Sequence, residues 1–171
     1  MSYEPLLSVH RVLPDGGAGT FSSAEVRSLL EVAFLATCAD DVLAEEEIVA
    51  FRELAEALAR LGAEPRAVSH DTAGLVALQD EFAEALDDEG RPARLAALAK
   101  TLTRGVAREA AYKVALAVGM CDFSSSSAEG DFEEELLEAL GFDADAADRL
   151  AAEVYDAIGG DEEEEEDEGD D

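Results

Sequence analysis

A pattern of apolar helix, acidic turn and second helix occurs twice in this chain, and this repetition constrains the fold more than any other feature. The stretch EVAFLATCAD at 31–40 has apolar residues at helical spacing, and KVALAVGMCD at 113–122 is a weaker copy of it. A second predicted helix follows each copy. Repetition of a helical unit predicts an all-α fold built from two related pairs of helices.

The turn after the first copy carries five carboxylates within eight positions. Glutamates suit the first turn of the following helix because helix N-termini carry partial positive charge. Five such groups repel one another unless solvent, a cation or a basic partner lies between them. A solvated turn and a binding site are therefore both open interpretations. The acids are Asp40, Asp41, Glu45, Glu46 and Glu47.

The spacing of the apolar residues predicts seven helices and no strand. Ser22 and Glu25 have the spacing of a capping box at the start of the first helix. Gly141 is expected to end the sixth helix, and Asp143 or Asp145 to cap the seventh. The predicted helices lie at about 23–39, 44–61, 72–88, 91–103, 105–121, 129–140 and 144–158.

The length of the chain predicts one domain, and its apolar content is ample for a single core. We place this helical domain at residues 22–158. Residues 1–21 mix apolar positions with a glycine-rich loop, and we predict a flexible N-terminal segment there. Residues 159–171 are predicted to be a disordered acidic tail. The last eleven of these hold ten acids, and like charges in a block repel one another.

The chain is strongly acidic, with a formal net charge of −30. Charge of this sign argues against binding to nucleic acid or to an anionic membrane surface. It is compatible with a cation, a basic protein surface or solubility alone. No apolar run of membrane-spanning length and no signal-peptide pattern is found, so we expect no membrane insertion, and a cytoplasmic location is the default.

Residue types that are typical of a catalytic site are few. His10 lies in the N-terminal segment. The serine and aspartate beside His70 are its sequence neighbours, so the three cannot take the geometry of a catalytic triad. Cys38 and Cys121 have no neighbouring His or Lys that would activate their thiols. We therefore expect a protein that is not an enzyme.

With both acidic turns in view, the chain resembles the TerB-like family, known from tellurite-resistance proteins. In that family, an apolar helix ending in Ala-x-Asp-Gly, an acidic loop and a glutamate-rich helix start occur twice. Here 36–47 and 118–129 carry the pattern, with Asp41 and Phe123 in place of the family's glycine. The resemblance covers about residues 22–158. It implies a compact, pseudo-twofold seven-helix bundle with both turns at one end, and a role in stress or tellurite response.

The resemblance also implies an acidic surface linked to divalent cations, which predicts weak binding of Ca²⁺ or Mg²⁺. Asp40 and Glu47 match the family's first pair, and Asp122 and Glu129 repeat the same seven-residue interval. The ligand ladder of an EF-hand is missing, so we expect modest affinity. An adaptor that docks a basic protein partner without metal is the alternative. The candidate metal ligands are Asp40, Asp41, Glu47, Asp122, Glu129 and Asp131, and the candidate partner contacts are Glu45 and Glu46.

Overall fold

The structure is a computed structural model that describes residues 11–14, 16, 19–37, 45–62, 72–120 and 127–159. Seven helices and no strand occur in these ranges, which confirms the predicted all-α class there. None of these helices combines the length and the hydropathy that crossing a bilayer requires. The helices are α1 (Ser23–Thr37), α2 (Glu45–Leu61), α3 (Thr72–Glu89), α4 (Arg91–Thr101), α5 (Gly105–Met120), α6 (Ser127–Leu140) and α7 (Ala144–Gly159).

Local capping signals begin and end several helices as the sequence predicts. At the start of α1, the Ser22 N–H donates to Glu25 Oε1 at 2.8 Å, and the Glu25 N–H donates to the Ser22 hydroxyl at 3.2 Å. Asp143 Oδ1 accepts the Ala146 N–H at 2.8 Å and caps α7. Gly141 follows α6 with a φ of 79°, a left-handed conformation that glycine adopts without steric cost. These three capping predictions are confirmed.

Helix α1 is central because every residue from Ser28 to Thr37 is buried, on all sides of the helix. Leu29 and Leu30 are fully buried, and Val32 and Leu35 on the other side of the helix are buried as well. Even Ser28 is only 7% exposed. A helix that is covered all round has to satisfy its polar side chains within the protein.

Helix α2 ends beside the beginning of α1. The N–H groups of Gly19 and Phe21, just before α1, both donate to the Leu61 carbonyl at 3.1 Å. Phe21 also forms an isolated parallel bridge with Gly62. Since α1 and α2 pack against each other, the two helices form an antiparallel pair.

Helix α5 also begins beside the beginning of α1. Arg104, directly before α5, donates from Nη2 to Glu25 Oε1 at 2.6 Å and to the Thr20 carbonyl at 2.8 Å. Helices α1 and α5 form the most extensive helix pair among the described elements. Two packed helices that begin together run in the same general direction, so α1 and α5 also end on the same side of the bundle.

Arg108 joins the ends of α4 and α6 to the first turn of α5. Its guanidinium donates to the Leu140 carbonyl at 2.7 Å and to the Ala99 carbonyl at 3.0 Å, and it also binds the Leu102 carbonyl. Carbonyls at helix ends lack intrahelical partners, so this side chain satisfies groups that burial would otherwise leave unpaired. Helix α6 therefore ends where α5 begins, and this pair is antiparallel as well.

Helix α7 runs in the same direction as α5. Arg149 pairs with Glu109 of α5 at 2.8 Å, and one turn further along both helices Glu153 pairs with Lys113. The two helices also pack against each other. The chain therefore leaves α7 on the side of the bundle where α1 and α5 end.

The core extends beyond the N-terminal boundary that we place at residue 22. Val12, Leu13 and Phe21 are buried and belong to the same core as the helices. Val106 of α5 lines a cleft beside Leu13 and Pro14. Val106 is 40% exposed, although it is one of the apolar residues of α5.

Candidate functional site

Three of the candidate metal ligands lie outside the described residues. They are Asp40, Asp41 and Asp122, which belong to the turns after α1 and α5. Cys38 and Cys121 lie outside the described residues as well. The expectation that the two acidic turns converge on one cation is therefore still a prediction.

The other candidate residues lie on helix beginnings. Glu45, Glu46 and Glu47 open α2, and Glu129 lies in the first turn of α6. Asp131 follows on α6 and is exposed. Within the ranges that the structure describes, no three Asp, Glu, His or Cys residues are grouped closely enough to hold a metal ion. The described acids alone thus form no metal site.

Two buried glutamates on α1 form bidentate ion pairs that the sequence did not reveal. Glu31 is 4% exposed, and it accepts Arg94 Nε at 2.6 Å and Nη2 at 2.8 Å. Glu25 is 5% exposed, and it accepts Arg104 Nε at 2.9 Å and Nη2 at 2.6 Å. Parallel hydrogen bonds between a guanidinium and a carboxylate are among the strongest that side chains make. These pairs connect the central helix to α4 and to the start of α5.

Within each of these pairs, one partner stabilises the charged form of the other. Hydrogen bonds from Arg104 hold the pKa of Glu25 below its ordinary value against the opposing effect of burial, and the Ser22 N–H lowers this pKa further. Hydrogen bonding to Glu31 raises the pKa of the Arg94 guanidinium, although burial opposes it. The Glu25 carboxylate and the Arg94 guanidinium therefore remain ionised at neutral pH. Their hydrogen-bonding groups face each other, so their role is structural.

At least six of the chain's twelve basic residues take part in ion pairs within the described part of the molecule. Arg108 is engaged with backbone carbonyls. Because carboxylates of the same chain pair with these cations, the remaining surplus of carboxylates dominates the charge that a partner meets. The pairs are Arg27–Glu81, Arg91–Glu135, Arg94–Glu31, Arg104–Glu25, Lys113–Glu153 and Arg149–Glu109.

One buried tyrosine on α5 has a pKa that its surroundings raise. Tyr112 on α5 is 6% exposed, and its ring packs against Phe142 with centroids 6.2 Å apart. Burial raises the pKa of Tyr112, and the charges of Glu133 on α6 and Asp148 on α7 raise it further. Burial also raises the pKa of the Glu133 carboxyl. No ion pair joins either carboxylate to a residue in the described ranges.

A cleft of about 250 Å³ opens between residues 11–14, α5 and α7. Val106 and Ala157 contribute apolar wall, and the ion pair of Lys113 with Glu153 lies along it. Clefts that bind small molecules usually enclose about 300–1,000 Å³ and present free polar groups. This cleft is smaller, and that lysine and glutamate are paired with each other.

Comparisons with known proteins found no relative. No protein-family model, no curated protein and no solved structure matches this chain. The resemblance to the TerB-like family therefore depends on the residues of the two acidic turns and on the order of the helices.

Proposed function

We propose that this chain is a non-catalytic, TerB-like stress-response protein whose two acidic turns together bind a divalent cation such as Ca²⁺ or Mg²⁺. The shared direction of α1 and α5 is the observation that carries the proposal. The first acidic turn follows Thr37 and the second follows Met120, the last residues of these helices. Helices that begin and pack together support an arrangement in which Asp40 and Asp122 approach each other. A pseudo-twofold relation between the two helical pairs is part of this proposal.

The lengths of the helices support the same arrangement. Helix α1 has 15 residues and α5 has 16, so each extends about 23 Å from the end where both begin. The return helices α2 and α6 then start near each other and bring Glu47 and Glu129 with them. Ca²⁺ takes six to eight oxygen ligands and accepts water among them. A few carboxylates from each turn are therefore enough for modest affinity.

Calorimetric titration with Ca²⁺ tests the cation site. The double variant Asp40→Asn/Asp122→Asn should lose the binding heat of the wild-type protein. The matched control is Glu138→Gln/Asp145→Asn, which removes the same charge from exposed residues at the end of α6 and the start of α7. This control should keep the heat because those residues lie at the opposite end of the bundle. Equal heats for the wild type and the Asp40→Asn/Asp122→Asn protein would contradict the proposal.

A basic protein partner is the second candidate, and the direction of α7 favours it. Helix α7 ends at Gly159 on the side where α1 and α5 end. Ten acids follow within 161–171, so the tail adds to the charge of the two turns. A concentrated field of one sign attracts a basic surface and mainly accelerates association.

Capture on immobilised polylysine at low and high salt tests this second candidate. Removal of 161–171 should weaken capture, and so should a tail of the same length with Asn and Gln in place of the acids. Equal loss in these two proteins assigns the effect to charge rather than to chain length. Capture that persists in EDTA separates partner docking from cation binding. If capture is the same for all three proteins and does not depend on salt, electrostatic docking is wrong.

A further inference from the structure

The cleft beside α5 and α7 presents an apolar wall next to a lysine. Val106, Ala110 and Lys113 all line it, and their spacing of four and then three residues places them on one face of α5. Leu13 and Ala157 line the cleft as well. Val106 is 40% exposed, so a large apolar side chain is open to solvent within a concave surface.

The carboxylates of this cleft already have cationic partners. Glu109 accepts a hydrogen bond from Arg149 Nη2 at 2.8 Å. Glu153 pairs with Lys113 and also with Arg149. The hydrogen bond from Lys113 is the main reason that the pKa of Glu153 lies below its ordinary value. A further cation would therefore compete with pairs that are already formed.

The cations of the cleft can bind more acceptors than they hold. A lysine ammonium carries three N–H donors, and within the described ranges Lys113 pairs with Glu153 alone. Arg11 is exposed and lines the same cleft. With Arg149, the described charges in and beside the cleft are three cations and two carboxylates. This region thus carries a surplus of positive charge in a chain whose net charge is −30.

The size of the cleft restricts its ligand. Its volume of about 250 Å³ equals that of about eight water molecules, at about 30 Å³ each in the liquid. A drug-sized molecule usually needs a larger site. A ligand of about eight non-hydrogen atoms fits this volume, and an apolar end and an anionic end would match Val106 and Lys113.

We propose that this cleft binds a free, short aliphatic carboxylate. The carboxylate accepts N–H groups of Lys113 in charge-assisted hydrogen bonds, and Arg11 adds to the positive potential that attracts it. The aliphatic chain packs against Val106 and Ala157, which removes apolar surface from water. An aliphatic amine fits less well because Arg149 and Lys113 already pair with both glutamates.

NMR titration of the full chain with ¹³C-labelled valine methyl groups tests the proposal, with 4-methylpentanoate as the probe. We expect saturable shifts of the Val106 methyl signals and a dissociation constant on the order of 1 mM. Val76 of α3 is 51% exposed and lies outside the cleft, so its signals should not shift. A salt concentration of about 0.15 M screens the repulsion from distant carboxylates.

Matched probes separate the two ends of the ligand. The neutral isostere 4-methylpentanamide should bind at least about tenfold more weakly, since it lacks the charge that Lys113 recognises. Acetate keeps the charge but has almost no apolar chain, and it should also bind at least about tenfold more weakly. The amine 4-methylpentan-1-amine should cause no saturable shift. Equal affinity for 4-methylpentanoate and 4-methylpentanamide would overturn the proposal.

Variants assign the binding to the cleft. Lys113→Met should weaken binding of 4-methylpentanoate by about tenfold, and Lys100→Met is the control because Lys100 is exposed on α4. Val106→Asp should abolish binding, whereas Val76→Asp adds the same charge at the other exposed valine and should not. Val106 lies in the first turn of α5, where an aspartate suits the helix. Circular dichroism checks that each variant is folded.

This site uses none of the candidate ligands of the acidic turns and binds an anion, so it can fail or hold independently of the proposed cation site. The protein Asp40→Asn/Asp122→Asn should bind 4-methylpentanoate as the wild type does. The proposal is overturned if the Val106 signals show no saturable shift, or if folded Val106→Asp binds the probe as tightly as Val76→Asp.

Discussion

Glu31 of α1 accepts two hydrogen bonds from Arg94 of α4, Nε to Oε1 at 2.6 Å and Nη2 to Oε2 at 2.8 Å. The same guanidinium donates from Nη1 to Glu89 at the end of α3, at 2.7 Å. One arginine thus connects three helices, and its main partner is 63 positions away in the chain. Breaking a buried pair by removal of one partner is costly because the other charge stays buried without a counterion.

Replacement of the arginine should therefore be strongly destabilising. Arg94→Met should lower the free energy of unfolding by about 3–5 kcal/mol, since Glu31 would be left buried without its cation. Urea unfolding measures this change. Arg149→Met is the control because its pairs are solvent-exposed, and it should destabilise the protein far less than Arg94→Met does. Combining Arg94→Met with Glu31→Leu should recover most of the loss. Equal costs for the two single variants would contradict a buried role for Arg94.

Stability should fall in acid because of Glu25. Arg104 and the Ser22 N–H hold the pKa of Glu25 below its ordinary value. A carboxyl with a lowered pKa in the folded state stabilises the fold above its unfolded-state pKa of about 4.3. This stabilisation is lost as the pH falls through the lower, folded-state pKa. Urea unfolding at a series of pH values gives the free energy of unfolding as a function of pH. Between neutral and acidic pH, this free energy should fall less for Glu25→Gln than for the wild type. If the free energy of unfolding falls equally with pH in both proteins, the pair of Glu25 and Arg104 does not contribute to the pH dependence.

The helices were predictable from the sequence because the signals that bound them are local. Ser22 and Glu25 lie three positions apart, and Asp143 caps the helix directly after it. Gly141 takes the positive φ that its place after α6 favours. The spacing of the apolar residues then predicts which residues between these ends are helical. Short-range chemistry of this kind is readable without any knowledge of how the helices pack.

The structural role of the acids on α1 was not predictable, because it depends on contacts between distant residues. Nothing in the spacing of Glu25 and Glu31 indicates burial, and only the packing of α4 and α5 against α1 shows that both are buried. The exposure of Val106 was not predictable either, because this residue lines a cleft beside residues 11–14, which are distant in the chain. The acidic turns stay a prediction, since Asp40 and Asp122 lie outside the described residues.

Tyr112 should make the protein sensitive to alkali. Burial and the neighbouring carboxylates raise the pKa of its phenol above the ordinary value of about 10. A group whose pKa is raised on folding stabilises the fold fully below its unfolded-state pKa. That stabilisation is lost as the pH rises through the folded-state pKa. Thermal unfolding at increasing alkaline pH should therefore show a smaller decline for Tyr112→Phe than for the wild type. Tyr155→Phe, at a residue that is 62% exposed, is the control and should follow the wild type. A Tyr112→Phe protein that declines as steeply as the wild type would contradict this account.

Two glycines at the two ends of α6 should respond to alanine with opposite signs. Gly141 has a φ of 79°, and the nearest atom to an added Cβ would be Arg108 Nη1 at an ordinary 3.7 Å. Backbone conformation alone therefore opposes Gly141→Ala, which should cost about 1–2 kcal/mol. Gly130 lies within the helix with no atom inside 4 Å of an added Cβ, so Gly130→Ala should stabilise the protein by up to about 1 kcal/mol. Urea unfolding of both variants measures these changes. If Gly141→Ala were as stable as the wild type, the left-handed end of α6 would be wrong, and with it the tight connection that directs α7 along α5.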